Sequence, residues 1–117
     1  MKSVIPILRI FAERKAKEFY LDYLGFRFDW EHRFEPEYPL YQILNEAVQI
    51  HFSEHHGDCS PGAAVRIQFE DLQNYHSILK SKEYSSSNPG IEKTPWNTYE
   101  LTVQDPFRNR IIFYQNT

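Results

Sequence analysis

The sequence predicts an α+β domain in which a βαβββ module occurs twice. Short stretches of alternating apolar and polar residues indicate strands, and two longer stretches with three- and four-residue apolar spacing indicate helices. The order strand, helix, strand, strand, strand in the first half returns in the second. The modules cover about residues 3–54 and 63–116 of a single domain over 1–117. A lone module would expose an apolar sheet face, so we expect the two to pair, within the chain or between chains.

The first module begins with a strand over 4–10, in which Pro6 limits hydrogen-bond donation. A helix over 12–24 follows, and Gly25 comes directly after its last apolar residue, where a left-handed cap is expected. The apolar positions at helical spacing are Ala16, Phe19, Tyr20, Tyr23 and Leu24. The remaining strands are predicted at 26–31, where Phe26, Phe28 and Trp30 alternate with polar residues, and at 40–44 and 48–54.

The second module repeats this order. Its first strand is predicted over 63–69, and Asp71 is a suitable N-cap for the helix that follows. This helix is predicted to run through Leu72, Tyr75, Ile78 and Leu79. The remaining strands are predicted at 91–93, 99–103 and 110–115, with a turn at 105–109.

Composition excludes several classes of protein. Hydrophobic residues make up 41% and charged residues 25% of 117 residues, as in a folded globular domain. The net charge of −3 without a basic cluster argues against a nucleic-acid-binding protein, and no apolar run is long enough to span a membrane. The single Cys59 rules out an internal disulfide and favours a reducing compartment, hence a cytoplasmic location. Aromatic residues reach 16%, which suits a pocket for a flat organic ligand.

The stretch 48–62 joins the two modules and changes character in its middle. It alternates as a strand that contains His51, and then breaks into a polar Gly- and Pro-containing loop. The loop contains His55, His56, Asp58 and Cys59. These residues suggest a metal site, but adjacent histidines rarely converge on one ion. A loop that caps the neighbouring strand through polar side chains is the favoured interpretation.

Two sets of residues are candidates for binding a small molecule. Polar residues that share one sheet face by strand alternation indicate a solvated pocket, with a water-filled groove as the alternative. They are His51, Ser53, Arg66, Gln68 and Tyr114, with Arg9 nearby. Aromatic residues of the 30–38 loop and of the second module could stack on a planar ligand, or could seal a dimer interface. They are Trp30, Phe34, Tyr38 and Trp96.

Charge and acid–base groups refine this hypothesis. The acidic residues interleaved with the aromatic loop favour a cationic ligand: Asp29, Glu31, Glu35 and Glu37. His51 could titrate near neutrality, and Glu100 alternates toward a sheet face. No combination of nucleophile, base and orienting group is recognisable, and Cys59 lacks an adjacent permanent cation. The sequence therefore predicts no catalytic residue.

Four segments carry a resemblance to a known superfamily. They are FYLDYLGF (19–26), WEHRFEP (30–36), SEHHGD (53–58) and DPFRNRIIF (105–113). With the repeated module, they resemble the glyoxalase / bleomycin-resistance / extradiol-dioxygenase superfamily, the vicinal oxygen chelate fold, over essentially the whole chain. The second and third segments are more similar to the bleomycin-resistance branch. The resemblance implies curved mixed sheets whose concave faces hold ligands, and homodimers with composite clefts.

The resemblance also implies where a metal would bind. Many members hold a divalent ion through the first and last strands of each module, at positions that fall on Ile5, His51, Ala64 and Ile112. Only His51 has a lone pair to donate, and a tightly bound ion needs several N or O ligands. We therefore expect no metal and no other cofactor.

Together these observations predict a metal-independent protein of the bleomycin-resistance type. It would be a homodimer that sequesters a planar, cationic small molecule in a cleft at the interface, and its resemblance to that branch associates it with antibiotic resistance. The alternative is an enzyme, a glyoxalase-like lyase or isomerase or a dioxygenase with an altered metal site. A third interpretation is a stress-associated domain whose pocket is vestigial.

Overall fold

The computed structural model of the chain contains two four-stranded sheets. The structure describes residues 1–33, 39–82, 84 and 88–117. The strands of the first sheet are β1 (Ile7–Arg9), β2 (Arg27–Arg33), β3 (Pro39–Asn45) and β4 (Val48–Ser53). Those of the second sheet are β5 (Ala64–Gln68), β6 (Ile91–Lys93), β7 (Thr98–Gln104) and β8 (Arg110–Asn116).

The two sheets share one topology. The strand order is β1-β4-β3-β2 in the first sheet and β5-β8-β7-β6 in the second. In each, the first and last strands of the module pair in parallel, and the other pairs are antiparallel. A helix connects the first strand of each module to the next strand. The predicted α+β fold of two βαβββ modules with mixed sheets is therefore confirmed.

Strand β1 is shorter than the predicted 4–10 because of its proline. Pro6 has no N–H to donate, but its carbonyl accepts a hydrogen bond from the backbone N–H of His51 at 3.0 Å. Regular pairing begins one residue later, where Ile7 lies opposite His51. The shortened strand still aligns the start of the chain with β4.

The first helix begins as an α-helix and ends as a wider π-helix. Helix α1 covers Glu13–Lys17 and continues into a π segment, Glu18–Tyr23, so the prediction of a regular helix over 12–24 is wrong for its last part. The wider turn buries the adjacent rings of Phe19 and Tyr20 together. Gly25 follows with a φ of +88°, which confirms the expected left-handed cap.

The second helix, α2 (Leu72–Ser81), begins as predicted. The side chain of Asp71 accepts a hydrogen bond from the backbone N–H of Asn74 at 3.2 Å, which is the expected N-cap contact. The helix runs through Leu72, Tyr75, Ile78 and Leu79 as predicted; Tyr75 and Leu79 are buried, whereas Ile78 is 43% exposed.

Strand β2 contains an irregularity that changes which side chains share a face. The pairing with β3 shifts between Phe28 and Trp30, so Asp29 is an extra residue on β2. The predicted alternation of 26–31 is therefore interrupted. As a result, Asp29 reaches the side chain of Gln42 on β3, although Gln42 lies opposite Trp30.

The turn between β7 and β8 fastens the second module to the first. Asp105 accepts hydrogen bonds from the backbone N–H groups of Phe107 and Asn109, each at 2.8 Å. It also accepts one from the hydroxyl of Tyr20 at 2.7 Å and one from the side-chain amide of Asn109 at 2.9 Å. The same amide donates to the carbonyl of Arg9 at 2.7 Å. The 105–109 segment is therefore a buried connection between modules.

A second buried contact joins the modules, and the helices lie on one side of each sheet. The hydroxyl of Tyr75 on α2 donates to the carbonyl of Leu24 at 2.6 Å. The alternate residues of the strands that point toward the helices form one core with them, including Ile50, Phe52 and Phe113. The opposite sheet faces carry the residues described below. No helix in the described part of the chain combines the length and apolar character that a membrane span requires.

Candidate functional site

A row of four residues crosses the open face of the first sheet. Strand register aligns Ile7, His51, Gln42 and Trp30 from β1 to β2. Ile7 and Trp30 at the two ends are 41% and 37% exposed, and His51 is half-buried between them. The rings of Trp30 and His51 meet edge to face with their centroids 5.2 Å apart. An indole and an imidazole therefore form one accessible aromatic surface.

Hydrogen bonds extend this surface to a carboxylate. The side-chain amide of Gln42 donates to Asp29 at 2.6 Å, and its oxygen lies 2.7 Å from Nε2 of His51. Burial lowers the pKa of His51, so the imidazole is neutral at physiological pH. The first-sheet group, defined as Asp29, Trp30, Gln42 and His51, is thus a set of coupled polar and aromatic side chains.

A second group occupies the open face of the second sheet, with Glu100 at its centre. Both terminal guanidinium nitrogens of Arg66 donate to its carboxylate, at 3.3 and 2.8 Å. Thr98 donates to it from its hydroxyl at 2.8 Å, and Trp96 from its indole N–H at 3.1 Å. The guanidinium of Arg66 also lies over the ring of Tyr114, 4.7 Å from its centroid.

Hydrogen bonds stabilise the ionised form of the Glu100 carboxyl group. The hydrogen bond from Arg66, with those from Thr98 and Trp96, lowers the pKa of Glu100 to about 2, and its side chain is only 11% exposed. Because Glu100 neutralises Arg66, the second-sheet group, defined as Arg66, Trp96, Glu100 and Tyr114, presents little net charge. Its most accessible part is the indole of Trp96, which is 62% exposed.

The structure distributes the predicted binding residues over these groups. Trp30 and His51 belong to the first, and Arg66, Trp96 and Tyr114 to the second. Among the described residues, no hydrogen bond, ion pair or ring contact joins the two groups, which lie on different sheets. The predicted residues Phe34 and Tyr38 lie outside the described part of the chain.

Gln68 lies apart from both groups. It pairs with Tyr114 in the register of β5 and β8, but its exposed side chain lines a small cleft of about 60 Å³. The cleft also contains Asn45 and Val48 of the first module. Gln68 therefore faces the junction between the modules.

Ser53 and the histidine loop serve local structure. Ser53 is buried, and its hydroxyl donates to Asp58 at 2.5 Å and accepts from the backbone N–H of His55 at 3.0 Å. Nδ1 of His55 accepts from the backbone N–H of Gly57 at 3.0 Å, and the ring stacks on His56 with centroids 4.9 Å apart. These contacts support the interpretation of a loop that caps the end of β4.

Cys59 and Arg9 lie near this loop. Burial raises the pKa of the Cys59 thiol, and Asp58 raises it further, while Arg9 opposes the effect. A thiol in that state is a weak nucleophile at neutral pH. The guanidinium of Arg9 lies over the ring of Phe11, 4.6 Å from its centroid. Neither residue joins the aromatic groups on the open sheet faces.

The side chains at the superfamily's metal positions do not suit a metal ion. In the strand register, Ile7 rather than Ile5 lies opposite His51, and Arg66 rather than Ala64 lies opposite Ile112. An aliphatic chain offers no lone pair and a guanidinium is permanently cationic, so His51 remains a single donor. In the described ranges, no three His, Cys, Asp or Glu side chains are grouped to hold an ion.

Sequence reasoning missed Gln42 and gave Glu100 too small a role. The sequence does contain the information that locates Gln42. A short turn between 45 and 48 pairs residues at equal distances on either side of the turn, which places Gln42 opposite His51. The contact of Asp29 depends on the irregularity in β2, which the alternating pattern does not reveal. Glu100 becomes central only when β5, β7 and β8 are brought together.

Comparison with known proteins agrees with this architecture. The sequence profile of a family described as glyoxalase superfamily protein matches residues 1–117. No curated protein matches the sequence. The chain belongs to the glyoxalase superfamily.

Three solved structures illustrate the shared fold. A bleomycin-binding protein from Streptomyces verticillus, complexed with copper(II)-bleomycin, is 21% identical with a TM-score of 0.75 over 100% of this chain and 98% of that one. A putative glyoxalase family protein from Bacillus anthracis is 14% identical with a TM-score of 0.78 over 100% and 97%. A lactoylglutathione lyase from Agrobacterium tumefaciens is 12% identical with a TM-score of 0.74 over 98% and 94%. At these identities the likeness shows the fold alone.

Proposed function

We propose that this protein binds a planar, cationic small molecule without a metal, as a sequestering protein of the bleomycin-resistance type. The observation that carries the proposal is the first-sheet group, in which an exposed indole, a neutral imidazole and a carboxylate lie together on an open sheet face. Such a surface offers stacking and negative charge to one ligand.

The electrostatics favour a cation. Asp29 accepts a hydrogen bond from Gln42, and it is an exposed acidic residue next to Trp30. On the second sheet, the positive charge of Arg66 is compensated by Glu100. The chain as a whole carries a net charge of −3. A positively charged ring is therefore attracted to Trp30 and meets no uncompensated cation in either group.

A second copy of the chain would complete the site. Each chain presents two accessible aromatic groups on different sheets, with Trp30 in one and Trp96 in the other. A homodimer that placed the first sheet of one copy against the second sheet of its partner would bring the two indoles to opposite sides of a ligand. Two bleomycin-binding neighbours of the same fold were crystallised with bleomycin.

The enzyme alternative has little support from the donor set. Lyase or dioxygenase chemistry of the superfamily's metal-dependent kind needs several convergent N or O ligands, and His51 is accompanied by Ile7, Arg66 and Ile112 at those positions. We also propose a cytoplasmic location, because the single Cys59 is a free thiol. Antibiotic resistance would follow from sequestration of a toxic ligand.

Titration calorimetry with metal-free bleomycin tests the proposal. We expect the wild-type protein to release or absorb heat on binding, and Trp30→Ala and Trp96→Ala each to weaken binding. An aromatic contact is worth about 0.5–1.5 kcal/mol beyond its buried area, so each loss is at least about two- to tenfold.

Tyr99→Ala is the matched control. The exposed fraction of Tyr99, 39%, is similar to the 37% of Trp30. Because Tyr99 belongs to neither group, its removal should leave the affinity unchanged. Absence of binding by the wild-type protein would contradict the proposal for this ligand. Equal affinities of all three variants and the wild type would contradict the assigned site.

A further inference from the structure

We propose that the hydrogen-bond chain from Asp29 through Gln42 to His51 holds the imidazole so that its Nδ1 accepts a hydrogen bond from an N–H group of the bound ring. The inference rests on the proposed function and specifies its ligand class: a flat cation that carries an N–H donor at its edge. Asp29 and Gln42 are positioning residues in this arrangement, and His51 is the residue that contacts the ligand.

The chain has a defined direction because its members differ in what they can donate. An ionised carboxylate only accepts, so Asp29 requires the NH₂ end of the Gln42 amide, at 2.6 Å. The amide oxygen then faces Nε2 of His51 at 2.7 Å, and that nitrogen must carry the hydrogen. The reverse amide orientation would bring two acceptors together at Asp29. The carboxylate therefore fixes the tautomer of the imidazole two side chains away.

The other ring nitrogen is available to a ligand. In the neutral tautomer with hydrogen on Nε2, Nδ1 has a lone pair. It makes no hydrogen bond within the described part of the chain, and it is absent from the buried polar atoms that lack a partner, so solvent reaches it. The imidazole that carries this acceptor contacts Trp30 edge to face, with ring centroids 5.2 Å apart, so the ring lies beside the surface on which a ligand would stack.

The neutral Gln42 amide between Asp29 and His51 has a further consequence. A carboxylate in direct contact with His51 would favour the imidazolium ion, whose Nδ1 would donate rather than accept. Gln42 separates Asp29 from the ring while it passes on the orientation. The irregularity in β2 makes this possible, since the extra residue brings Asp29 and Trp30 to the same side of the sheet.

Two dyes separate hydrogen bonding from stacking. Thionine is a flat phenothiazinium cation with primary amino groups, and methylene blue is the same cation with every N–H replaced by N-methyl. We expect the wild-type protein to bind thionine about three- to tenfold more tightly, the usual range for one net hydrogen bond. Fluorescence or calorimetric titration of both dyes measures this ratio.

Variants of Asp29 test the positioning role. Asp29→Ala removes both the charge and the anchor for Gln42, so the ratio should fall to about one. Asp29→Asn removes the charge but keeps an oxygen that accepts from the Gln42 amide, so both dyes should bind more weakly while the ratio is retained. His51→Phe keeps a ring beside Trp30 and should also bring the ratio to about one. Ring-nitrogen NMR of His51 should show hydrogen on Nε2 in the wild type and Asp29→Asn.

The outcomes distinguish this inference from the proposed function. If the wild-type protein binds both dyes equally, the role of Nδ1 is wrong, while binding of planar cations stands. If Asp29→Ala keeps the wild-type ratio, the positioning role of the hydrogen-bond chain is wrong. If neither dye binds, the planar-cation site itself is wrong, and the inference fails with it.

Discussion

Replacing Asp105 by alanine should destabilise the protein more than most single substitutions, because this side chain fastens the two modules together. Asp105 is 3% exposed and accepts hydrogen bonds from Phe107, Asn109 and Tyr20. Alanine would leave the Tyr20 hydroxyl and two backbone N–H groups without their acceptor in the interior. Such orphaned donors cost about 1–3 kcal/mol each, and donors that share one acceptor do not add in full.

We expect a loss of about 3–5 kcal/mol in the free energy of unfolding. Unfolding entropy near 60 °C is about 2.1 cal/mol/K per residue, so for this chain 1 kcal/mol corresponds to about 4 °C in Tm. The expected decrease in Tm is therefore about 12–20 °C. Against a typical total stability of about 5–15 kcal/mol, this loss approaches the threshold of folding at 37 °C.

Urea denaturation followed by circular dichroism measures the effect, with two companion variants. Tyr20→Phe removes one of the donors and should cost about 1–2 kcal/mol. Gln104→Ala changes an exposed neighbour on β7 and should stay within about 0.5 kcal/mol of the wild type. A loss below about 1 kcal/mol for Asp105→Ala, or one no larger than that of Tyr20→Phe, would refute the role of this connection.

Three further expectations follow from local geometry. Asp71→Ala should cost about 1 kcal/mol by removing the cap of α2, whereas Asp71→Asn should be nearly neutral in urea denaturation; equal effects would contradict the cap. Gly25→Ala should cost about 1–2 kcal/mol, since φ is +88° with open space around it, and Gly90→Ala, also in open space without positive φ, is the control. The Glu100 carboxyl should titrate near pH 2 by NMR, and in Arg66→Met its pKa should rise toward the ordinary range. Because pairing lowers the folded-state pKa, its stabilisation is present above the ordinary pKa and is lost as the pH falls to about 2; a wild-type midpoint in the ordinary range would contradict this.

Local patterns in the sequence predict the order of the elements well. Alternation locates the strands, Asp71 marks the start of α2, and Gly25 marks the end of the first helix. These features depend on neighbouring residues, so they are visible without knowledge of the fold. The repeat of the module then follows from the recurring order.

Features that depend on packing between distant residues were not predictable in the same way. The π segment at Glu18–Tyr23 buries Phe19 and Tyr20 together, and the second of these reaches Asp105 in the other module. Ile78 is 43% exposed, although it lies at helical spacing from the buried Tyr75 and next to the buried Leu79. Helical periodicity carries no information about such packing, so it predicts a regular helix over 12–24.

The candidate site shows the same division. Strand alternation places His51 on the open face. Its hydrogen-bond partner, Gln42, lies on β3, and Gln42 is in turn bonded to Asp29, the extra residue of β2. Arg66 is predicted on a sheet face, whereas its pairing with Glu100 requires the parallel contact of β5 with β8 and the position of β7 beside it. Register between strands therefore decides which predicted residues form a site.

The affinity for thionine of chelator-treated protein, compared with that of the same protein after addition of zinc or nickel, tests the central claim most directly. We expect equal binding in both samples, because Trp30, His51 and Asp29 supply the contacts and the partner of His51 on β1 is the aliphatic Ile7. Binding that appears only in the metal-supplemented protein, with a stoichiometric ion that is lost in His51→Ala, would contradict a metal-independent site.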